Sequence, residues 1–169
     1  MNKIAMLPFA VVVVALCVRA DKISAQMPAA IDAPGRTVVA TLHSEGAQVY
    51  ECKADTEGKL TWQIREPIAT LFLDGRTIGR HYAGPTWEHL DGSVVVGKVV
   101  GIVFGATPND IPWLRLEVVD RRGNGMLSGV TTIQRINTKG GTAQGPCDKT
   151  SIYLSVPYSA EYVFLGRGA

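Results

Sequence analysis

Apolar and polar residues alternate along this chain in short runs with a period of two. In KLTWQIR the residues Leu60, Trp62 and Ile64 alternate with Thr61, Gln63 and Arg65. One face is therefore apolar and the other wet, the pattern of a half-buried strand. The same row recurs at Tyr50, Cys52 and Ala54, at Leu114, Leu116 and Val118, and at Ile152, Leu154 and Val156. A further row follows at Tyr158, Ala160, Tyr162 and Phe164. Between Val94 and Val103 both faces are apolar apart from Lys98 and the glycines. That predicts a strand covered on both sides, or one that bends at Gly97 and Gly101.

Turn chemistry agrees with this period. Asp74-Gly75 and Asp91-Gly92 lie between apolar or β-branched runs, where a left-handed glycine permits a tight hairpin. Beyond the first residues no stretch carries an apolar stripe at helical spacing for three turns, and 18 glycines and 9 prolines interrupt the chain often. The expected fold is all-β and a single domain, an antiparallel β-sandwich or partly closed β-barrel with at most one short helix.

The N-terminus reads as an export signal. Lys3 precedes an apolar run from Ile4 to Val18, broken only by Pro8, and small residues follow in ISAQ. The run falls short of the roughly 20 residues that span a bilayer, so no membrane anchor is expected. Leu16 is too large for the residue that precedes a lipidated cysteine, which argues against Cys17 as an anchor. The expected division is a signal peptide over 1–25, a flexible arm over 26–36 and one β-rich domain over 37–169. Cleavage after Ala25 competes with cleavage after Ala20. The protein is then secreted or periplasmic.

Removal of the leader changes two things. The full chain carries a formal charge of +2, and the leader takes away Lys3, Arg19, Lys22 and Asp21, which leaves the mature chain near neutral. No basic field for nucleic acid or anionic lipid survives. Of the three cysteines, Cys52 and Cys147 remain in an oxidising compartment, and one disulfide is the natural pairing. Closing so long a loop stabilises the fold by about 4 kcal/mol on the chain-entropy account. Thiol ligation of a metal lacks a CxxC or a neighbouring histidine.

Candidate chemistry concentrates in GRHYAGPTWEHLDGS, Gly79 to Ser93. His81, Glu88 and His89 are types that ligate metals, but Glu88 and His89 are adjacent and point to opposite faces of a strand, and His43 is the one other histidine. No metal site and no cofactor is expected. For acid–base work His81 paired with Glu88 or Asp91 is the strongest candidate, because a carboxylate fixes an imidazole tautomer and shifts its pKa. A nucleophile is missing: there is no GxSxG elbow, and Ser93 or Thr86 would be chosen for proximity alone. The plainer alternative is a tied loop, with Arg80 and Glu88 closing it while Trp87 and Tyr82 plug the core.

A second cluster lies in TTIQRINTKGG. Alternation puts Ile133, Arg135 and Asn137 on one face, so Arg135 either reaches the rim or is buried against a carboxylate such as Glu88 or Glu51. GNGMLSG has the wrong spacing for a dinucleotide loop, and TKGG lacks the frame of a phosphate loop.

AQVYECKA, GRHYAGPTWEHLDGS, IPWLRLE, TTIQRINTKGG, Cys147 and VPYSAEYVF together resemble the block order of the secreted family catalogued as domain of unknown function 3455. The likeness runs from about Gly46 to Phe164. It matches Arg80, His81, Tyr82, Gly84, Pro85, Thr86, Trp87 and Glu88 to one motif. A second motif takes Gln134, Arg135, Asn137, Thr138, Gly140 and Gly141, and Cys52 and Cys147 fall on the family's cysteine positions. The resemblance implies an exported protein and assigns no activity. A malate dehydrogenase label carried by some fungal members finds no support, since the strand, glycine turn and helix of a dinucleotide site are missing.

Three functions follow. The leading one is an exported module that binds a small molecule or sugar through Arg80, His81, Tyr82, Trp87, Glu88, Arg135 and Asn137. Next is a structural or surface-interaction protein whose motifs only specify the fold. Third is a hydrolase-like enzyme with His81 as base and Glu88 orienting it.

Overall fold

Eight antiparallel strands, each hydrogen-bonded to the next in sequence and the last to the first, form a closed barrel in the computed structural model, which describes residues 27–168. The strands are β1 Arg36–Ala54, β2 Leu60–Leu73, β3 Arg76–Tyr82, β4 Thr86–His89, β5 Val94–Val103, β6 Trp113–Arg122, β7 Val130–Gly140 and β8 Tyr153–Arg167. The all-β expectation holds, and among the described residues no helix forms. Closure removes the free sheet edges that the two open sheets of a sandwich would have left. The expected leader, its cleavage point and Cys17 lie outside the described residues.

Up-and-down order sorts the connections between two ends. The loops 55–59, 83–85, 104–112 and 141–152 share one end. The connections 74–75, 90–93 and 123–129 share the other. At this second end Leu42, Leu71, Val95, Leu127, Val130 and Phe164 are buried and fill the interior. Asp74 and Gly75 both have positive φ, 49° and 73°, as the tightest hairpin turn requires.

The inward rows are those of the alternation, with informative departures. The two rows on either side of Pro157 are one strand, β8, and β1 and β8 pair over most of their lengths. Strand β5 meets both expectations in different halves. Val94 and Val95 are buried, whereas the register shifts between Val96 and Gly97, and again between Val99 and Gly101, bend the exposed half.

The N-terminal arm, expected to be flexible, is docked on the outside of the barrel. Ile31 is completely buried, its carbonyl accepts from Gln134 Nε2 at 2.6 Å, and the Asp32 carbonyl accepts from Arg115 Nη1. At Gly101 a Cβ would lie 2.0 Å from the Ala30 carbonyl oxygen, so glycine there admits the arm. Period alone did not show this, because the arm has a single apolar anchor. Cys52 and Cys147 are bonded, with 5.9 Å between their Cα atoms, and the bridge ties the end of β1 to the 141–152 loop.

Candidate functional site

The GRHYAGPTWE segment is the β3–β4 hairpin, and its register divides the candidate residues between two faces. Arg80 lies opposite Glu88 and His81 opposite Trp87. Successive side chains of a strand alternate, so the first pair faces solvent and the second the barrel interior. Outside, Arg80 Nη2 donates to Glu88 Oε2 at 2.9 Å, the Tyr82 hydroxyl donates to the same oxygen at 2.8 Å, and the guanidinium lies over the Tyr82 ring. The Tyr82 and Arg80 hydrogen bonds hold the Glu88 carboxyl below its usual range. Tyr82 therefore does not plug the core as expected, and this cluster is a surface brace.

Inside, His81 is 3% exposed and stacks on Trp87 with ring centroids 4.3 Å apart. Tyr162 meets both rings edge-on, at 5.1 Å and 5.3 Å. Gly97 makes room for the indole: a Cβ there would lie 3.1 Å from Trp87. His81 Nδ1 donates to the Thr86 carbonyl at 2.8 Å, which leaves the neutral ring's lone pair on Nε2. Burial, aided by the positive charge of Arg135, pushes its pKa down to about 3 despite the Thr86 hydrogen bond. The pairing of His81 with Glu88 is thus corrected. They sit on opposite faces of one sheet, because positions seven apart on a two-stranded hairpin fall on opposite sides here, and no carboxylate orients the imidazole.

These rings form the floor of a cavity of about 570 Å³ that occupies the half of the barrel left unfilled by the core. Its wall is built from every part of the sheet. Gln48 and Tyr50 come from β1, Trp62, Ile64 and Pro67 from β2, Val99 from β5, Leu114 and Leu116 from β6, Arg135 from β7, and Tyr162 from β8. Pro85 of the hairpin turn and Ile111-Pro112 complete the rim. Ile64, an inward residue of an alternating row, is 56% exposed because it stands in this open mouth.

The second motif shapes the rim. Strand β7 has an irregularity between Ile136 and Lys139, with Asn137 at φ 52°, so Asn137 leaves the face of Arg135 and donates to Glu161 Oε2 on the exterior. The expected common face of Arg135 and Asn137 is corrected accordingly. Thr138 Oγ1 donates to the Ile111 carbonyl at 2.6 Å, Ile111 N donates to the Gly140 carbonyl, and Gly140 N donates to Asp110 Oδ1. Arg135 donates to the Pro112 carbonyl through Nε and Nη2, at 3.1 and 2.9 Å. Neither Glu88 nor Glu51 is its partner; the 104–112 loop, strapped down by TKGG, supplies the acceptor instead. Tyr50 closes the other side by donating to the Gly141 carbonyl at 2.7 Å.

Asp91 and Ser93 work at the opposite end. The Asp91 carboxylate accepts from Ser93 N, Ser93 Oγ and Met126 N, and Ser93 Oγ accepts from Leu127 N. Those donors hold the Asp91 carboxyl well below the usual carboxylate range. The glycines of GNGMLSG serve the same joint: a Cβ at Gly125 would lie 2.3 Å from the carboxylate. Ser93 and Asp91 are thereby far from the cavity, and with them any pairing of Asp91 to His81.

Of the seven candidate binding residues, the structure gathers His81, Trp87 and Arg135 in the cavity and places Arg80, Tyr82, Glu88 and Asn137 outside it. The cavity's remaining wall escaped the motif search. Trp62, Ile64 and Leu114 lie on apolar rows that mark them as inward, but a row does not reveal which of its members line a void. Gln48 had a signal, since it is a polar residue two before Tyr50 in the row Tyr50, Cys52 and Ala54, and it is 4% exposed. Among the described residues no group of three His, Cys, Asp or Glu side chains converges as metal ligands would.

Residues 33–166 match the profile of the family described as "Protein of unknown function (DUF3455)". The match covers most of the sequence, and the chain belongs to that family. No curated protein matches it, and no solved structure does. Among the described residues no helix is long and apolar enough to cross a membrane. That and the disulfide are compatible with an extracellular location.

Proposed function

We propose that this member of the DUF3455 family is an exported small-molecule binding protein whose ligand enters the open end of the barrel. The observation that carries the reading is the cavity of about 570 Å³ between the aromatic floor and the loop rim. Its size falls in the range of about 300–1,000 Å³ typical of ligand sites, and an eight-stranded barrel is wide enough to hold one small ligand. Its wall has the composition such sites share, mostly apolar with a few fixed polar groups. Sugar is the weaker of the two ligand classes expected. Hydroxyl-rich ligands need acceptors, and the lone carboxylate at the wall, Glu66, is engaged by Arg65 at 3.3 Å. The hydrolase reading loses its base–orienter pair with the separation of His81 from Glu88.

The test is calorimetric titration of the oxidised protein with a panel of neutral and acidic alkyl and aryl compounds and with monosaccharides. Saturable one-to-one binding by alkyl or aryl compounds is expected. Trp62→Ala should weaken it by about 1.5–3 kcal/mol if the indole is covered by ligand, about 10- to 150-fold in Kd. Arg80→Ala, on the outer face, should leave it unchanged. Absence of saturable binding across the panel, or equal effects of the two substitutions, overturns the proposal.

An interaction protein is the second reading, and it draws on a different surface. Val100, Ile102 and Phe104, at and just past the end of β5, are all exposed apolar residues, Phe104 to 91%.

A further inference from the structure

The cavity wall holds a cation without a counter-charge. The Arg135 guanidinium lies between the Tyr162 floor, whose hydroxyl is within its hydrogen-bonding reach, and the Pro112 rim, where Nε and Nη2 both donate to one carbonyl. No ion pair among the described residues includes it. A guanidinium presents five N–H groups in a planar fork, so a neutral carbonyl leaves both donors and charge uncompensated. Its field extends across the cavity, favouring the ionised forms of Tyr50 and Tyr162 and the neutral form of His81.

Two more donors on the same wall are idle. Gln48 Nε2 and Trp87 Nε1 are buried, on residues 4% and 1% exposed, and neither has a hydrogen-bond partner. An unsatisfied buried donor is costly, and an unpaired charge in an apolar setting costs more. Those two nitrogens have no surface open to the cavity, so the group a ligand can meet there is the Arg135 guanidinium, which matches a ligand that accepts hydrogen bonds and carries negative charge. Strapping down Pro112 explains Arg135 only in part, since a neutral donor would reach a neutral carbonyl without placing a charge among Leu114, Tyr162 and Pro112.

The number of charges narrows the ligand. One uncompensated guanidinium suits a monoanion, whereas a phosphate or sulfate ester normally meets several cations or a row of backbone N–H groups. Most of the rest of the wall is apolar, and its Glu66 carboxylate is paired with Arg65. We propose that the ligand is an apolar monocarboxylic acid, its carboxylate paired with the Arg135 guanidinium and its body packed against Trp62, Ile64 and Val99. This rests on the cavity being a binding site, and it adds the class of head group.

The experiment uses matched probes that differ only in charge: decanoate against decanamide, and 1-naphthoate against 1-naphthamide, titrated calorimetrically at pH 7.5. Wild type should bind at least one acid about ten-fold or more tighter than its amide, as a charge-assisted pair implies. Arg135→Gln should remove that preference by weakening the acid and leaving the amide within about two-fold, and Arg135→Lys should retain part of it. Equal affinity of acid and amide for wild type overturns the head-group assignment while leaving the cavity as a binding site. Binding by none of the four overturns both. Should Arg135→Gln fail to fold, the wild-type comparison alone decides, since it needs no variant.

Discussion

His81 gives the most direct test of how the barrel floor is built. Its imidazole is buried against Trp87 and Tyr162, near the charge of Arg135, and its pKa falls to about 3 in the folded protein. In the unfolded chain an imidazole titrates near 6.5. Between those values the unfolded state binds one proton that the folded state refuses, so stability is complete above about 6.5 and declines as pH falls toward 3. The slope is about 1.4 kcal/mol per pH unit, which makes the loss about 2 kcal/mol at pH 5. Against a total of about 5–15 kcal/mol for a domain, that is easily measured.

The perturbation is His81→Phe, which keeps an aromatic ring on Trp87 and removes the titrating group. It also leaves the Thr86 carbonyl without its imidazole donor, a cost of about 1–2 kcal/mol that does not vary with pH. Urea unfolding of both proteins, followed by tryptophan fluorescence at pH 7.5, 6 and 5, separates the two effects. The wild-type advantage at pH 7.5 should shrink by about 2 kcal/mol at pH 5, with unchanged denaturant slopes. Parallel pH profiles would refute the burial argument, because they require His81 to accept its proton in the folded protein as readily as in the unfolded one.

Replacing Cys52 and Cys147 by serine together should lower stability by up to about 5 kcal/mol, since the bridge closes a separation of 95 residues; an unchanged urea midpoint would refute the entropic account. Asp91→Asn should lower the midpoint at pH 7 and flatten its acid dependence. Donors from Ser93 and Met126 depress the Asp91 pKa, so its contribution is present above the unfolded value and lost as pH falls through the folded one. A variant that keeps the wild-type acid profile would sink that reading.

Much of the barrel was legible because a period of two needs no tertiary information. The rows at Leu60–Ile64, Leu114–Val118 and Tyr158–Phe164 all face the interior. Closure was not legible, because sandwich and barrel demand the same alternation and differ only in whether β8 returns to β1. The docked arm was hidden for a related reason. Ile31 stands in a stretch of alanines and prolines that has no period to read, and the docking of that stretch depends on Gly101 far along the chain. Asn137 was misplaced because one irregularity in β7 reverses every later side chain, and irregularities of that kind have no period to read.

The two sequence motifs have a common physical meaning that their chemistry-rich composition disguises. Arg80, Tyr82 and Glu88 brace the β3–β4 hairpin from outside, which fixes where His81 and Trp87 stand inside. Thr138, Gly140 and Gly141 fasten the 104–112 loop, and that loop gives Arg135 its acceptor. At Gly141 a Cβ would approach Ile111 and Tyr158 within 3 Å, so this close packing needs glycine. Most motif residues therefore hold geometry, and a minority reach the cavity. Substitutions of the bracing residues should act on stability first, whereas those at Trp62 and Arg135 should act on ligand with the fold retained. A search of the motifs for reacting groups finds polar side chains in the right segments but on the wrong face. The inward residue of each cross-strand pair, identified by its register, is what distinguishes a wall of the cavity from its scaffold.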